Sequence, residues 1–306
     1  MRALVKAPAG ECALSLGPVD EPDPGPGQAL VAIRAVGVNR GELTVLGSLP
    51  PGARIGRDIA GTVLSPAADG SGPPAGSRVV GLAACDGWAE RAAVDVGRLA
   101  VIPDGIGWCG AAALPVAALT AHYALERAGW LLGRHVLVTG AGGGVGRAAV
   151  QLAAAAGARV TAWVGRPERG AGLEALGADH VAEYGAPHRR PVDVLLDGCG
   201  GEVLTRAHRT LAPGAQVVCY GNSCFSELRL PAGWGQDCPG VSLHHLDLRA
   251  EVLRRRVGRD LAFLLQLVVE GRLDPQVALT SPWTDPEPVL DALRGRRLNG
   301  KAVLTL

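Results

Sequence analysis

One stretch of the sequence decides the fold, and it reads HVLVTGAGGGVG over residues 135–146. Apolar residues from His135 to Thr139 predict a buried strand, and the glycines after it open a helix over Val145 to Ala156. A second strand is predicted over Arg159 to Val164. Glycines in such a turn let the backbone approach a pyrophosphate, and the helix N-terminus supplies free N–H groups. A plain structural turn is the alternative, but a turn set between two strands and a helix favours a dinucleotide-binding unit.

The segments after this stretch continue the same alternation. Further strands are predicted over Val192 to Leu196 and Gln216 to Tyr220. Helices are predicted at Ala117 to Ala128, Glu168 to Leu176 and Val203 to Leu211. Alternating strands and helices are typical of a parallel sheet, which binds ligands at the carboxyl ends of its strands.

The first hundred or so residues have a different pattern of apolar and turn-forming residues. Short β-type runs at Ala29 to Val36, Ile59 to Leu64 and Arg78 to Leu82 are separated by Pro and Gly clusters, which favours an antiparallel, barrel-like domain. At the other end, helices over Arg259 to Glu270 and Glu287 to Arg294 precede a final strand, Ala302 to Leu306. We expect this tail to pack back on the first domain, and 306 residues suit two domains.

The composition is that of an ordinary globule. With 30 basic and 29 acidic residues, the chain has no electrostatic affinity for nucleic acid or membrane. No apolar run approaches the ~18 to 20 residues that span a bilayer, and the start at Met1 is expected to be a first strand instead of a signal peptide, so we expect a cytoplasmic protein. The seven cysteines form no Cys-x-x-Cys pair, which argues against a disulfide framework or a zinc knuckle.

The end of the predicted second strand bears on the type of nicotinamide. An acid at this position binds the ribose 2′-hydroxyl of NAD, whereas a basic residue pairs with the 2′-phosphate of NADP. Here Gly165 is followed by Arg166 and Arg169, with no acid at the tip of the strand. Guanidinium groups suit a phosphate, so the sequence favours NADP, with solvated arginines at a helix start as the alternative.

Several further motifs follow one another in a recognisable order. They are Ala35-Val36-Gly37-Val38-Asn39, Gly56-Arg57-Asp58-Ile59-Ala60-Gly61, Asp86-Gly87-Trp88-Ala89-Glu90, Leu119-Thr120-Ala121, Ala141-x-x-Gly144-Val145-Gly146, Leu176-Gly177-Ala178-Asp179-His180, Asp193-Val194-Leu195-Leu196-Asp197 and Gly300-Lys301-Ala302-Val303-Leu304. In this order and spacing the chain resembles the medium-chain dehydrogenase/reductase superfamily, within it the zinc-independent quinone-oxidoreductase-like branch. The resemblance covers nearly the whole sequence.

The resemblance implies an α/β protein with a GroES-like β-barrel domain and a Rossmann domain with a doubly wound parallel sheet. On this basis we expect a barrel domain over residues 1–113, an NADP-binding domain over 114–245 and a return to the barrel over 246–306. The family also implies that the cofactor lies in the cleft between the domains and that the protein is a homodimer.

Zinc-dependent relatives differ in two of these motifs. They carry a Cys where this chain has Asn39 and a His-Glu pair where it has Arg57-Asp58. A catalytic zinc needs about three Cys, His or carboxylate ligands, and a structural zinc needs about four. The segment of the structural lobe offers only Cys85 and Cys109, so we predict no metal.

The turn and the resemblance together indicate the cofactor residues. Those predicted to contact NADPH are Asn39, Thr120, Gly142, Gly143, Gly144, Val145, Gly165, Arg166, Arg169, Tyr184, Gly221, Asn222, Ser223, Arg296, Asn299 and Lys301. The resemblance places Arg169, Tyr184 and Arg296 at the 2′-phosphate, and it places Asn39 and Thr120 near the nicotinamide. Structural roles are the alternatives: Asn39 as a turn residue, Thr120 as a helix cap, and Lys301 at a strand edge.

The chemistry expected of such a site is hydride transfer from NADPH to a small molecule. Without a metal Lewis acid, reduction of a conjugated carbonyl or a quinone is favoured over reduction of an isolated ketone, because the developing charge is spread. Candidates to meet the substrate oxygen are Asn39, Arg40, His244 and His245, and a histidine is also a candidate proton donor. Exposed histidines on a surface loop are the alternative for the last two.

Two other functions remain open from the sequence. One is a protein that keeps the fold but uses NADPH without net redox chemistry, as a cyclase or a binding protein. The other is a zinc alcohol dehydrogenase, which the missing ligands oppose.

Overall fold

The computed structural model describes residues 1–8, 14–187 and 190–306. One of the seven cysteines, Cys12, lies outside these residues. The chain divides into two compact units. The first contains Met1–Leu119, Arg254–Gly271 and Pro275–Leu306, and the second contains Thr120–Leu253 and Arg272–Asp274.

Strands and helices of the described residues are numbered in chain order. The strands are β1 (Arg2–Lys6), β2 (Leu14–Pro18), β3 (Gln28–Val38), β4 (Asp58–Ser65), β5 (Arg78–Leu82), β6 (Arg91–Asp95), β7 (Leu99–Val101), β8 (His135–Thr139), β9 (Arg159–Val164), β10 (His180–Glu183), β11 (Val192–Asp197), β12 (Leu211–Cys219), β13 (Ser242–His245), β14 (Val277–Pro282) and β15 (Lys301–Thr305). The α-helices are α1 (Arg40–Leu46), α2 (Trp108–Ala112), α3 (Pro115–Ala128), α4 (Gly144–Ala155), α5 (Gly201–Ala207), α6 (Trp234–Asp237), α7 (Leu248–Val252), α8 (Val257–Val269) and α9 (Glu287–Arg294). Short 3₁₀ helices cover Val96–Arg98, Pro167–Gly170 and His208–Thr210.

The first unit is built on a seven-stranded sheet. Its order is β14-β15-β3-β4-β5-β7, with β6 also paired to β3, and the pairs are antiparallel except β14 with β15. The first half of β3 alternates, so that Ala29, Val31 and Ile33 are buried in the core. The final strand predicted over 302–306 is β15, which pairs with β3.

The register of this sheet places three polar residues together. Val38 lies opposite Ala302 on β15, and Gly37 lies opposite Asp58 on β4. Asn39, directly after β3, is therefore flanked by Lys301 and Asp58. Gly37 needs to be glycine, because a Cβ there would lie 2.4 Å from the Ala112 carbonyl oxygen.

The second unit contains a six-stranded, fully parallel sheet in the order β10-β9-β8-β11-β12-β13. Numbered within the unit, this is the order 3-2-1-4-5-6 of the Rossmann fold, which reverses direction between the first and fourth strands. The predicted parallel sheet and α/β class are confirmed. The carboxyl ends of β8 and β11 form the switch point at which such sheets bind ligands.

The structure corrects several local predictions in this unit. Instead of a helix over 168–176, the 3₁₀ helix Pro167–Gly170 is followed by turns, because Gly170 and Gly172 disfavour a helix and Gly172 has a φ of +78°. The helix predicted over 203–211 is α5, which ends at Ala207. The strand predicted over 216–220 is the longer β12.

Candidate functional site

The glycine-rich turn leaves the start of α4 open. Gly143 is the N-cap residue of α4, and no side chain caps this end. Gly140 has a left-handed φ of +63°. A Cβ on Gly146 would lie 2.5 Å from the Gly140 carbonyl oxygen, so glycine there lets the helix pack against the turn. Uncapped N–H groups at the positive end of a helix fit a pyrophosphate.

The segment after β9 packs directly on this turn. A Cβ on Gly142 would lie 2.4 Å from the Arg169 carbonyl oxygen. Arg169 is half-buried, and its backbone N–H donates to the Arg166 carbonyl at 3.0 Å. Gly165 and Arg166 are exposed at the end of the strand. The structure therefore places the backbone of Arg169 beside the glycine turn, and Arg166 is hydrogen-bonded to Arg169 through the backbone.

Tyr184, which follows β10, lies at the same edge of the sheet. A Cβ on Gly165 would lie 3.1 Å from the Tyr184 ring. The Tyr184 hydroxyl lies 3.2 Å from the Cys199 Sγ. Gly165 and Tyr184, predicted separately from the sequence, are thus neighbours.

The switch point itself is held by a buried carboxylate. Thr139 Oγ1 at the end of β8 donates to Asp197 Oδ1 at the end of β11, at 2.5 Å. The second oxygen, Oδ2, accepts the Gly200 N–H at 2.8 Å. Burial raises the pKa of Asp197, and the Thr139 and Gly200 hydrogen bonds oppose that rise. The carboxylate joins the two strands between which the sheet reverses.

Two thiols and one phenol near the switch point, those of Cys199, Cys219 and Tyr220, are in surroundings that favour their neutral forms. Burial raises the pKa of the Cys199 thiol, raises that of Cys219 to about 12, and raises that of Tyr220 well above its ordinary value. The thiolate is the reactive form of cysteine. These cysteines are therefore poor nucleophiles and line the site as neutral groups.

The loop after β12 closes against the end of β11. The Ser223 N–H donates to the Gly198 carbonyl at 3.3 Å. A Cβ on Gly221 would lie 3.0 Å from that same oxygen. Asn222 is exposed, and its amide donates to the Ser226 carbonyl at 3.2 Å. The predicted residues Gly221 to Ser223 thus lie at the carboxyl edge of the parallel sheet.

In the first unit, the register described above builds a closed polar cluster, which we call the Asn39 cluster: Asn39, Glu42, Asp58 and Lys301. Asn39 Nδ2 donates to Asp58 Oδ2 at 2.9 Å, and the Lys301 ammonium donates to that oxygen at 3.1 Å. The ammonium also donates to Asn39 Oδ1. Asp58 is 0% exposed and Lys301 is 4% exposed, so the ion pair is fully buried.

Glu42 holds the backbone of Asn39 in place. Its Oε2 accepts the Asn39 N–H at 2.6 Å, and its Oε1 accepts the Arg57 N–H at 3.2 Å. Burial, with a smaller contribution from the Asp58 charge, raises the pKa of Glu42 to about 7. Glu42 therefore keeps its proton to a higher pH than an exposed carboxyl group does.

Four further predicted residues belong neither to the glycine-rich turn nor to the Asn39 cluster. Arg40 donates to the Leu293 carbonyl at 2.8 Å, at the last turn of α9. Thr120 is buried within α3. Arg296 is exposed in the first unit with a φ of +53°, and Asn299 is half-buried before β15.

The histidine pair lies on a strand. His244 and His245 belong to β13, the edge strand of the parallel sheet, and not to a surface loop. The short segment Ser242–His245 was missed because it is polar and carries little apolar signal. His245 is exposed and His244 is half-buried.

Sequence reasoning missed four polar residues of these sites. Asp58 and Asp197 were part of quoted motifs, but no role followed for them, and Thr139 and Glu42 were given none. The signal available was a carboxylate in an otherwise apolar strand, because such a group is buried only with partners.

In the described part of the chain, no group of three or more His, Cys, Asp or Glu side chains is arranged to hold a metal. No helix in that part is long and apolar enough to cross a membrane.

Comparison with family models defines the class. Residues 25–132 match the alcohol dehydrogenase GroES-like domain, and residues 144–233 match the zinc-binding dehydrogenase domain. A GroES-like domain followed by a Rossmann domain is the architecture of a large class of oxidoreductases, and the two units of this chain correspond to it.

The individual relatives include a quinone oxidoreductase and two polyketide synthase proteins. The chain is 33% identical to the quinone oxidoreductase from Thermus thermophilus, whose structures include a complex with NADPH; the match covers 100% of both chains with a TM-score of 0.85. It is 36% identical over 315 residues to the spectinabilin polyketide synthase protein NorB of Streptomyces orinoci and 37% identical over 295 residues to the erythronolide synthase EryA2 of Saccharopolyspora erythraea. These matches cover 99% and 91% of this chain, but 14% and 8% of those much longer proteins.

The chain belongs to the medium-chain dehydrogenase/reductase superfamily, in its quinone-oxidoreductase-like branch.

Proposed function

We propose that this chain is an NADPH-dependent reductase that transfers hydride to a conjugated carbonyl or a quinone without a catalytic metal. The observation that carries the proposal is the open N-terminus of α4 at the switch point, with Arg169 packed on the same turn. This arrangement suits a dinucleotide whose pyrophosphate lies on the helix and whose 2′-phosphate meets arginine. The NADPH complex of the Thermus thermophilus relative supports the same cofactor.

The residues fit this cofactor along the whole carboxyl edge of the sheet. Gly142, Gly143, Gly144 and Val145 would hold the pyrophosphate through backbone N–H groups, and NADPH would supply the hydride. The pair Arg166 and Arg169, with Tyr184 beside Gly165, would bind the ribose phosphate. The loop Gly221 to Ser223 would complete the edge. In the first unit, Asn39 would donate a hydrogen bond to the substrate oxygen as charge develops on it.

The Asn39 cluster also supports metal-free chemistry. Asn39 and Asp58 stand where zinc-dependent relatives carry a ligand Cys and the Glu of the His-Glu pair. In this chain their oxygens are shared by the Lys301 ammonium. An amide and a carboxylate already neutralised by a lysine are a poor donor set for zinc, which takes about three Cys, His or carboxylate ligands.

The test is a panel of enones and quinones with purified protein, following loss of the NADPH absorbance. We expect turnover with at least one acceptor class, a preference for NADPH over NADH, and full activity after dialysis against a metal chelator. The variant Arg169→Glu should lose more activity with NADPH than with NADH, and Arg209→Glu, at an exposed arginine of the same unit, is its charge-matched control. Product formation with unchanged NADPH would instead indicate a non-redox enzyme, and chelator-sensitive activity would overturn the metal-free proposal.

A further inference from the structure

The side-chain amide of Asn39 is fixed at both ends. Lys301 donates to its oxygen, its nitrogen donates to Asp58 Oδ2, and Lys301 also contacts that carboxylate oxygen. An ammonium only donates hydrogen bonds and a carboxylate only accepts them. Rotating the amide by half a turn would set its NH₂ against the ammonium and its oxygen against the carboxylate. Only one orientation of the Asn39 amide is therefore compatible with its neighbours.

The pair that fixes the amide is itself anchored. Asp58 Oδ1 accepts the Val116 N–H at 2.9 Å, and the carboxylate is 0% exposed. Lys301 starts β15, whose pairing with β3 is continuous from Ala302 to Thr305. Buried ion pairs are costly to desolvate, and apolar replacements are often as stable. Stability alone does not account for a buried ion pair in this place.

The fixed orientation sets the direction of both N–H groups of the amide. Asn39 is half-buried, and of its two Nδ2 protons one is directed to Asp58. The other lies near Glu42, whose carboxylate accepts the backbone N–H groups of Asn39 and Arg57 and also interacts with the Asn39 side chain, so a substrate oxygen would take the place of Glu42 as the acceptor of this proton. Because the amide oxygen faces a full positive charge, the amide is polarised, which strengthens its N–H groups as donors.

We propose that Asp58 and Lys301 are positioning residues that hold the Asn39 amide as a one-way donor to the substrate oxygen. This proposal rests on the function proposed above. Asn39 is the group that touches the substrate, and the other two act through it. The assignment also predicts which ligand groups Asn39 binds. A carbonyl or quinone oxygen accepts a hydrogen bond and is bound, whereas a hydroxyl or amine that must donate a hydrogen bond to Asn39 is not.

A set of neutral replacements separates this role from a structural one. Single changes in the pair leave a buried charge without its partner and threaten the fold. The double variant Asp58→Asn/Lys301→Met removes both charges of the pair, so it should keep a melting temperature near that of the wild type. We expect its kcat to fall about 10- to 100-fold, in the range seen when a preorganised donor is disturbed, while KM for NADPH changes less than about threefold.

The decisive comparison uses Asn39→Ala as background. If Asp58 and Lys301 act only through Asn39, the triple variant should have the same kcat as Asn39→Ala alone, because the coupled effects do not add. Additive losses in the triple variant, or a stable double variant with wild-type kcat, would overturn the proposal. Lys6→Met is the matched control, since Lys6 and Lys301 are the only lysines of the chain.

A spectroscopic measurement covers the case in which the wild type reduces no acceptor, so that the proposed function itself fails. Nitrogen-15 labelling of asparagine, with Asn39→Ala for assignment, reports solvent exchange of the Asn39 side-chain protons. Slow exchange in the wild type and fast exchange in the double variant would uphold the fixed amide. Equal exchange in the two proteins would overturn it.

Discussion

The two units differ in how their functional residues are distributed along the chain. In the parallel-sheet unit, the turn and the start of α4 fall within residues 140–146. In the barrel unit, Lys301 reaches Asn39 across 262 positions and Asp58 across 243. The first site is a local conformation of the backbone, whereas the second exists only when three distant strands pair in one register.

This difference predicts how each site fails. A change in the local turn should impair cofactor binding and leave the rest of the chain folded. A change in the Asn39 cluster removes a partner from a buried charge and should cost stability as well as activity.

The largest effect is expected for Lys301→Met, which leaves Asp58 buried without its cation. We expect the free energy of unfolding to fall by about 3–5 kcal/mol, as when one partner of a buried pair is removed. Adding Asp58→Asn should restore most of that loss. Chemical denaturation of both variants and of the Lys6→Met control measures the free energy of unfolding. If Lys301→Met were as stable as the wild type, the ion pair would not be buried in solution.

Glu42→Gln should change the pH dependence of stability. Burial raises the pKa of Glu42 in the folded chain to about 7, above its unfolded value near 4.5, so the folded state holds the proton more tightly. Wild-type stability from this group is thus full below about pH 4.5 and is lost as pH rises to about 7. Relative to the wild type, Glu42→Gln should gain roughly 3 kcal/mol over that window.

Denaturation curves at several pH values provide this measurement. Groups around the carboxylate include Asp58, which opposes ionisation, and Lys301, which favours it. Glu174→Gln, at an exposed carboxylate of the other unit, is the control. If Glu42→Gln and the control followed the same pH profile, the buried titration would be wrong.

In the parallel-sheet unit, Gly146→Ala should disrupt the turn. The new Cβ would lie 2.5 Å from the Gly140 carbonyl oxygen, so the backbone must shift where the pyrophosphate is proposed to bind. We expect the Kd for NADPH to rise about 30-fold, or about 2 kcal/mol, by calorimetric titration. Gly235→Ala, where a Cβ meets nothing within 4 Å, should bind as the wild type does. Equal affinities for both variants would argue against a cofactor at this turn.

Arg169→Glu should have the smallest and most selective effect. Replacing a guanidinium by a carboxylate repels the 2′-phosphate and leaves contacts common to both nicotinamides in place. We expect kcat/KM for NADPH to fall about tenfold or more, or about 1.4 kcal/mol, with little change for NADH. An equal loss with both cofactors would remove Arg169 from the 2′-phosphate site.

The sequence predicted what local pattern determines. Buried strands such as His135–Thr139 and Arg159–Val164 are apolar and end at glycine, so their bounds and their parallel arrangement followed directly. The helix predicted over 168–176 was wrong because glycines inside the segment outweighed its helix-forming neighbours.

Local patterns in the sequence did not predict the long-range contacts. Asn39 and Lys301 were singled out by resemblance, each for a separate contact with the cofactor. That they contact one another and share Asp58 depends on the pairing of β15, β3 and β4, which no spacing within the sequence encodes. The polar edge strand β13 was not predicted for a related reason, since its position is set by pairing with its neighbour β12.

The most direct test of the account is the fate of the transferred hydrogen. NADPH deuterated at its transferable position is incubated with the protein and an accepted enone, and the product is analysed by mass spectrometry. We predict one deuterium in each product molecule and one NADPH oxidised for each product formed. Product without deuterium, or product formed while NADPH remains unchanged, would contradict a reductase.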